Sequence, residues 1–389
     1  MTNPYCKNGA RETMTKEQVE ELEKRIQQGT REFEPFLNFY DELAEQKGVD
    51  WTNAMEKRVD WFKEFKKEDF PWKETNTWDC HILKCYVLIP QNLNPDKEIL
   101  VHCVFHGGGG ATGGGLFEPW FCDYRRDLAL RNNAITLIPN YRLMPESSGE
   151  DIEDDVNDWW RFYESQHFDE SLRSIGIESK NVKKERLLVS GESAGGLLVV
   201  NTWLGPPRPP IRALYLQYPM LNYYKRAIVG DQVGYRGENF PLEDVKQGVD
   251  KMLQKCNDMR SQNTLPCRSD TQPPYGMSAA NALSSTKKWT EVFKGDTGTM
   301  DVPTRLDYMV RENITPSQFP EIFIAHGEAD TVCPVEHTDQ FHTRINALWG
   351  DRVKVTYQRV PEKDHAFDYE AKIDENWLVD IIEGIEKVW

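Results

Sequence analysis

Residues 187–196 read Leu-Leu-Val-Ser-Gly-Glu-Ser-Ala-Gly-Gly, and this stretch decides the fold. An apolar, β-branched run leads into Gly191-Glu192-Ser193-Ala194-Gly195, and the helix-forming run Leu197 to Trp203 follows. The pattern is strand, G-x-S-x-G, helix. It describes a serine on a sharp strand-to-helix turn, its hydroxyl exposed and small residues two before and two after, so that neighbouring backbone can come close. The N-terminus of the following helix would point free N–H groups at the serine, where they favour developing negative charge.

Working outward, the buried strand 99–106 (Ile-Leu-Val-His-Cys-Val-Phe-His) runs into Gly107-Gly108-Gly109-Gly110. A nucleophilic serine needs donors for a tetrahedral oxyanion. The expected donors are the N–H groups of Gly108 and Gly109, whose lack of side chains lets them converge, together with that of Ala194 after the serine. His106 is expected to orient the loop and not to act as base. Gly108, Gly110 and Gly113 also satisfy G-x-G-x-x-G, but Gly114, Gly115 and Pro119 interrupt the region where a dinucleotide fold needs a helix, so no nucleotide cofactor is expected.

Downstream, strand 321–326 ends at Gly327-Glu328-Ala329-Asp330, and strand 353–360 is followed by Pro361-Glu362-Lys363-Asp364-His365-Ala366-Phe367. The order of candidate catalytic residues is therefore Ser193, Asp330, His365, each just past a strand, where open parallel sheets carry their ligands. Serine is a weak nucleophile until an imidazole takes its proton, and His365 holds that position among the eight histidines. Asp330 would hold its tautomer, with Glu328 as the rival acid. His326 sits at a strand end close to Asp330. Cys333, His337 and His342 mimic half a zinc site but lack a paired C-x-x-C, so no metal is expected.

With these parts in place, the chain resembles the hormone-sensitive-lipase-like family of α/β-hydrolases, which includes arylacetamide deacetylases and many microbial esterases. The segments that carry the resemblance are His106 to Gly109, Tyr141-Arg142-Leu143-Met144-Pro145-Glu146, Gly191 to Gly196 and the Asp330 and His365 loops. It implies the α/β-hydrolase fold, a mostly parallel central sheet with helices on both faces and a helical cap or lid. It also implies serine carboxylesterase activity with no cofactor; the expected substrate is the ester of a small to medium, hydrophobic molecule. The same acyl-enzyme could serve an acyltransferase or a lactone-forming cyclase, and the fold also serves non-catalytic small-molecule receptors, which lack the histidine. In the family Arg142 has a structural role and is expected to pair with Asp154 or Asp155. Three features depart from the family: Glu192 stands where aspartate is frequent, Ala366 follows the histidine where glycine is common and is expected to matter little, and the segment between 218 and 315 is long.

The expected division is 1–79 as an N-terminal helical cap, 80–218 and 315–389 as the two parts of the core, and 219–314 as an inserted, partly mobile cap segment. Helices are expected over 15–29, 33–46, 53–68, 151–164, 194–203, 242–256, 335–349 and 374–387. Strands are expected near 80–89, 99–106, 134–139, 185–190, 212–217, 321–326 and 353–359, an alternation that implies a parallel sheet covered on both faces. The dense aromatic set Phe33, Phe36, Phe39, Tyr40, Trp51, Trp61, Phe62, Phe65, Phe70 and Trp72 reads as a cap packed on the core. Met220, Leu221, Tyr223 and Tyr224 are placed to face the site or to pack.

A net charge of −16 argues against nucleic acid and anionic membranes as partners. No apolar run is long enough to span a membrane, and residues 1–30 lack a secretory core, so a cytoplasmic location is expected. The eight cysteines fit a reducing compartment, with a Cys256–Cys267 bridge as an option. The expected partner is a small-molecule ester, with a homodimer left open.

Overall fold

The computed structural model describes residues 10–46, 61–222, 230–293 and 300–389. Its strands are β1 (Phe65–Glu74), β2 (Ile82–Pro90), β3 (Ile99–Phe105), β4 (Ala134–Pro139), β5 (Val182–Glu192), β6 (Ile211–Gln217), β7 (Gln232–Tyr235), β8 (Glu238–Pro241), β9 (Glu321–Gly327) and β10 (Val355–Val360). Eight of them form one sheet in the order β1-β2-β4-β3-β5-β6-β9-β10, and β7 and β8 form a separate hairpin. β1 and β2 run antiparallel to their neighbours, and all pairs from β4 to β10 are parallel.

The helices are α1 (Ala10–Thr13), α2 (Lys16–Leu37), α3 (Phe39–Gln46), α4 (Asp123–Arg131), α5 (Gly149–Glu164), α6 (Gln166–Ser174), α7 (Ala194–Leu204), α8 (Leu242–Ser261), α9 (Met277–Ser285), α10 (Trp289–Phe293), α11 (Val302–Arg311), α12 (Val335–Trp349) and α13 (Asn376–Val388). β3 and β4 are buried at every residue, as a strand covered on both faces must be. One core cluster lies on the α5–α7 side and extends to residues of α2, α3, α8 and α9. A second packs α4 and α13 on the opposite face through Tyr124, Leu128, Leu378, Ile381, Ile382, Ile385 and Trp389.

Each expected strand and the helices at 151–164, 194–203, 335–349 and 374–387 lie where the pattern placed them, within a few residues. The helix expected over 53–68 is corrected. Residues 53–60 lie outside the described residues, and strand β1 begins at Phe65. Phe70 and Trp72 of the aromatic set therefore belong to the sheet, where they pack against Phe162, Phe168 and Trp159 of the helices covering it. Trp51, Tyr223 and Tyr224 also lie outside the described residues.

The N-terminal helices and the insertion join into one layer. The Thr15 and Gln18 capping box starts α2 as its spacing predicts. Tyr40 of α3 stacks on Tyr235 of β7 (4.4 Å between centroids) and donates to Asn281 of α9 (2.9 Å). Gly29 of α2 meets the backbone near Thr264 so closely that an added Cβ would lie 2.3 Å from its carbonyl. Cys256 and Cys267 are both free thiols, so the optional bridge is absent. No helix among the described residues is long and apolar enough to cross a membrane.

Candidate active site

At the carboxyl end of β5 the chain turns through Ser193 at φ 53°, ψ −117° into α7. A left-handed serine costs on the order of 1–3 kcal/mol and persists only where its surroundings over-determine it. Here they do. The Ser193 N–H donates to Gln217 O (2.9 Å), and Met220 N–H donates to Ser193 O (2.9 Å). The flanking glycines are sterically required: a Cβ on Gly195 would lie 2.0 Å from Phe105 O, and one on Gly191 2.4 Å from the Gly195 carbonyl carbon. All eleven residues of α7 are buried, so the turn leads into a helix packed on every side.

Beside it runs the glycine loop. Gly108, Gly109 and Gly110 take φ of 89°, 61° and 66°. The Gly108 carbonyl accepts from both Ala111 and Thr112 (3.1 Å each), which curls the loop. Among the described residues no acceptor meets the N–H of Gly108, Gly109 or Ala194. His106 stacks on Tyr141 (4.4 Å) and donates from Nδ1 to Gly107 O (2.9 Å), while Tyr141 donates to His106 O (2.7 Å). Burial pushes the His106 imidazole down from its ordinary value, so it stays neutral. Glu192 accepts the Gly107 N–H (3.0 Å), tying the loop to the elbow.

The Tyr-Arg-Leu-Met-Pro-Glu stretch buttresses the loop from behind. Arg142 pairs with Asp155 through Nε (2.9 Å) and with Asp151 (2.9 Å), so of the two acids expected for it Asp155 is the partner and Asp154 is not. Glu146 holds Arg268 in a two-point pair (2.8 Å each), and Arg268 also donates to Ala111 O and Met144 O (2.6 Å each). Residues 219–314, expected as an inserted, partly mobile cap segment, thus carry in Arg268 a guanidinium that clamps the end of the glycine loop. Ala280 of α9 and Trp289 of α10 lie directly over Gly109, 3.3 and 3.6 Å from where its Cβ would be.

At the ends of β9 and β10, Asp330 and His365 meet: His365 Nδ1 donates to Asp330 Oδ2 (2.8 Å). The other carboxylate oxygen accepts the N–H groups of Val332 (2.8 Å) and Cys333 (2.7 Å). His326 Nε2 lies 3.2 Å from Oδ2 and 2.7 Å from Cys333 O, and its Nδ1 meets Thr338 Oγ1 (2.9 Å). Burial alone would raise the Asp330 pKa. The hydrogen bonds from His326 and His365 outweigh it and hold the carboxyl well below its usual range. Glu328, the rival acid, pairs instead with Arg359 (3.1 Å) at the half-exposed edge of β10. Ala366 sits at φ 61°, which explains why glycine suits the position after the histidine, so the departure expected to matter little carries backbone strain. The His365 ring packs edge-on against Tyr218 (4.7 Å), the residue after Gln217, whose carbonyl holds the Ser193 amide. The serine, the acid and the histidine therefore stand on the neighbouring ends of β5, β6, β9 and β10.

The mostly parallel eight-stranded sheet with helices on both faces is that of an α/β-hydrolase. The profile of a family described as alpha/beta hydrolase fold matches residues 102–286. Within the class the chain is of the carboxylesterase type. It is 25% identical over 323 residues to the probable carboxylesterase M8 of Phoma sp. (strain ATCC 20986 / MF5453), covering 82% of this chain and 94% of that one. Over 94 residues it is 33% identical to the probable carboxylesterase clz11 of Cochliobolus lunatus, covering 23% of this chain and 40% of the other. Among solved structures, esterase B from Lactobacillus rhamnosis, inhibited by a C4-C4 SN3 tributyrin phosphonate, shares the fold at TM-score 0.52 and 14% identity, over 95% of this chain and 96% of the other. A protein of unknown function from Staphylococcus aureus subsp. aureus Mu50 does so at TM-score 0.54 and 18% identity, over 83% and 99%.

Proposed function

We propose that the protein cleaves the carboxylic ester of a small to medium, hydrophobic molecule through an acyl-enzyme on Ser193. The observation that carries this reading is the strained serine on the elbow with the hydrogen-bonded Asp330–His365 pair on adjacent strand ends. Asp330 occupies His365 Nδ1–H and so leaves Nε2 as the basic nitrogen. His365 takes the Ser193 proton as Oγ attacks the acyl carbon, and the N–H groups of Gly108, Gly109 and Ala194 receive the oxyanion. The imidazolium then protonates the leaving alcohol, and a water activated by the same ring releases the acid. The buried Asp330 carboxylate stabilises the imidazolium in both steps without itself taking the proton.

The apolar surfaces of α9, α10 and Met144 around the glycine loop support a hydrophobic substrate. The division into a core and a cap built from the N-terminal helices and residues 219–314 belongs to the same proposal. So does a cytoplasmic location, which the seven free cysteines among the described residues support. The test is hydrolysis of p-nitrophenyl esters from acetyl to long-chain acyl, wild type beside Ser193→Ala. Turnover in the wild type that disappears in a folded Ser193→Ala supports the reading, and the chain-length profile sizes the pocket. Equal rates in the two proteins sink it.

A further inference from the structure

Three residues beyond His365 stands a second carboxylate, Asp368, with no exposed surface. Its Oδ1 accepts the Tyr218 hydroxyl (2.6 Å), and its Oδ2 accepts the Tyr124 hydroxyl (2.8 Å), the Gln217 amide (2.8 Å) and the Cys122 thiol (3.5 Å). All four donors are neutral. The nearest cation in the chain of contacts is one residue removed: Arg125 donates to Gln217 Oε1 (2.7 Å) and to Glu192 Oε2 (3.0 Å), lying over the Phe121 ring. Glu192 in turn holds the Gly107 amide (3.0 Å), and the Gln217 carbonyl holds the Ser193 amide (2.9 Å). One continuous buried path thus runs from the glycine loop through Glu192, Arg125, Gln217 and Asp368 to Tyr218, whose ring lies against His365.

A fully buried carboxylate is costly, and a junction serving stability alone would be as well made from apolar side chains of the same volume. The path meets the backbone or ring of each reacting group. Tyr218 faces the histidine, Gln217 is bonded to the serine amide, and Glu192 is bonded to the first glycine of the loop. Asp330 holds the His365 ring by one hydrogen bond at Nδ1, and Tyr218 packs against the ring edge-on.

We propose that Asp368, acting through Tyr218 and Gln217, is a positioning residue that sets the His365 ring relative to Ser193 and couples it, through Arg125 and Glu192, to the glycine loop. This rests on the ester-hydrolase reading above. Asp368→Asn keeps the volume but removes the charge and turns an NH2 either toward the Tyr218 hydroxyl or toward the Tyr124, Gln217 and Cys122 donors. Adding Gln217→Glu to it restores complementarity. The new carboxylate at position 217 accepts from the new amide at position 368 and from Arg125, Tyr124 reverses its bond, and the buried charge is unchanged.

The experiment compares the full chain, Asp368→Asn, the double variant and Tyr218→Phe. Its readouts are kcat and KM on p-nitrophenyl butyrate, the rate of Ser193 labelling by a fluorophosphonate, and the melting temperature. Asp368→Asn is expected to lower kcat and the labelling rate by about 10- to 100-fold with KM within about threefold, since a displacement near 1 Å carries that penalty. The double variant recovers most of the loss, and Tyr218→Phe, which keeps the ring and drops one bond, loses about fivefold. Wild-type kcat and labelling in Asp368→Asn with only the melting temperature lowered overturns the proposal, as does a double variant no better than the single one. Should Asp368→Asn fail to fold, Tyr218→Phe decides, and unchanged kcat in that folded variant overturns the proposal. A wild-type Ser193 that takes no label overturns the hydrolase reading and this proposal with it.

Discussion

Replacing Asp330 by Asn tests the acid assignment with a magnitude that follows from its hydrogen bonds. The amide oxygen must face the N–H groups of Val332 and Cys333, because turning the NH2 toward them would set donor against donor and leave the buried Cys333 N–H unpaired at about 1–3 kcal/mol. The NH2 is thereby fixed toward His365, 2.8 Å away, and donates to Nδ1. The ring must then carry its proton on Nε2, the nitrogen that has to accept from Ser193. The same forced tautomer in a Ser-His-Asp triad lowers kcat by about 10⁴, or about 5.5 kcal/mol of barrier. The assay is kcat on p-nitrophenyl butyrate, with a folding check by circular dichroism, beside Glu328→Gln as control. Glu328 makes a surface pair with Arg359, which is worth at most about 1 kcal/mol, so the control keeps kcat within about twofold. A folded Asp330→Asn retaining more than about a tenth of wild-type kcat, or a Glu328→Gln loss of similar size, would refute the assignment.

Other outcomes follow from the same contacts. The Asp330 pKa is depressed in the fold against about 3.9 unfolded, so its contribution to stability is complete above about pH 5 and is lost as the pH falls through the folded value. Urea melts from pH 6 to 3 should show the stability gap between wild type and Asp330→Asn narrowing below about pH 4. Ala366→Gly relieves a left-handed alanine and should raise stability by about 1 kcal/mol in urea melts, and a lower midpoint would contradict the strain. Gly195→Ala drives a methyl into the β3 backbone and should cost at least about 3 kcal/mol or prevent folding, read by yield and melting temperature. Arg268→Met leaves buried Glu146 unpaired, which should cost about 3 kcal/mol and lower kcat by loosening the glycine loop. An unchanged melting temperature would show that the clamp is idle.

The parts of this protein legible in its sequence are those whose cause is local. A β-branched run ending in G-x-S-x-G and followed by helix formers dictates strand, turn and helix within about fifteen residues, because sterics at the glycines act between chain neighbours. The alternation of apolar strands with amphipathic helices dictates a covered parallel sheet, and chain order then dictates which loops share its carboxyl edge. Strand β1 escaped that reading because Lys66, Lys67, Glu68, Asp69 and Lys73 interrupt its apolar period, and only pairing with β2 makes it a strand. Which carboxylate meets His365, and which of Asp154 and Asp155 meets Arg142, depends on side-chain direction at the end of a turn. A sequence shows candidates for that choice, and packing makes it. The buried path through Arg125, Gln217 and Asp368 leaves no mark at all in the chain order. Its members come from α4, β6 and the loop after β10, and they become partners only because the sheet sets those ends side by side, out of water, where an unpaired polar group is too costly to leave.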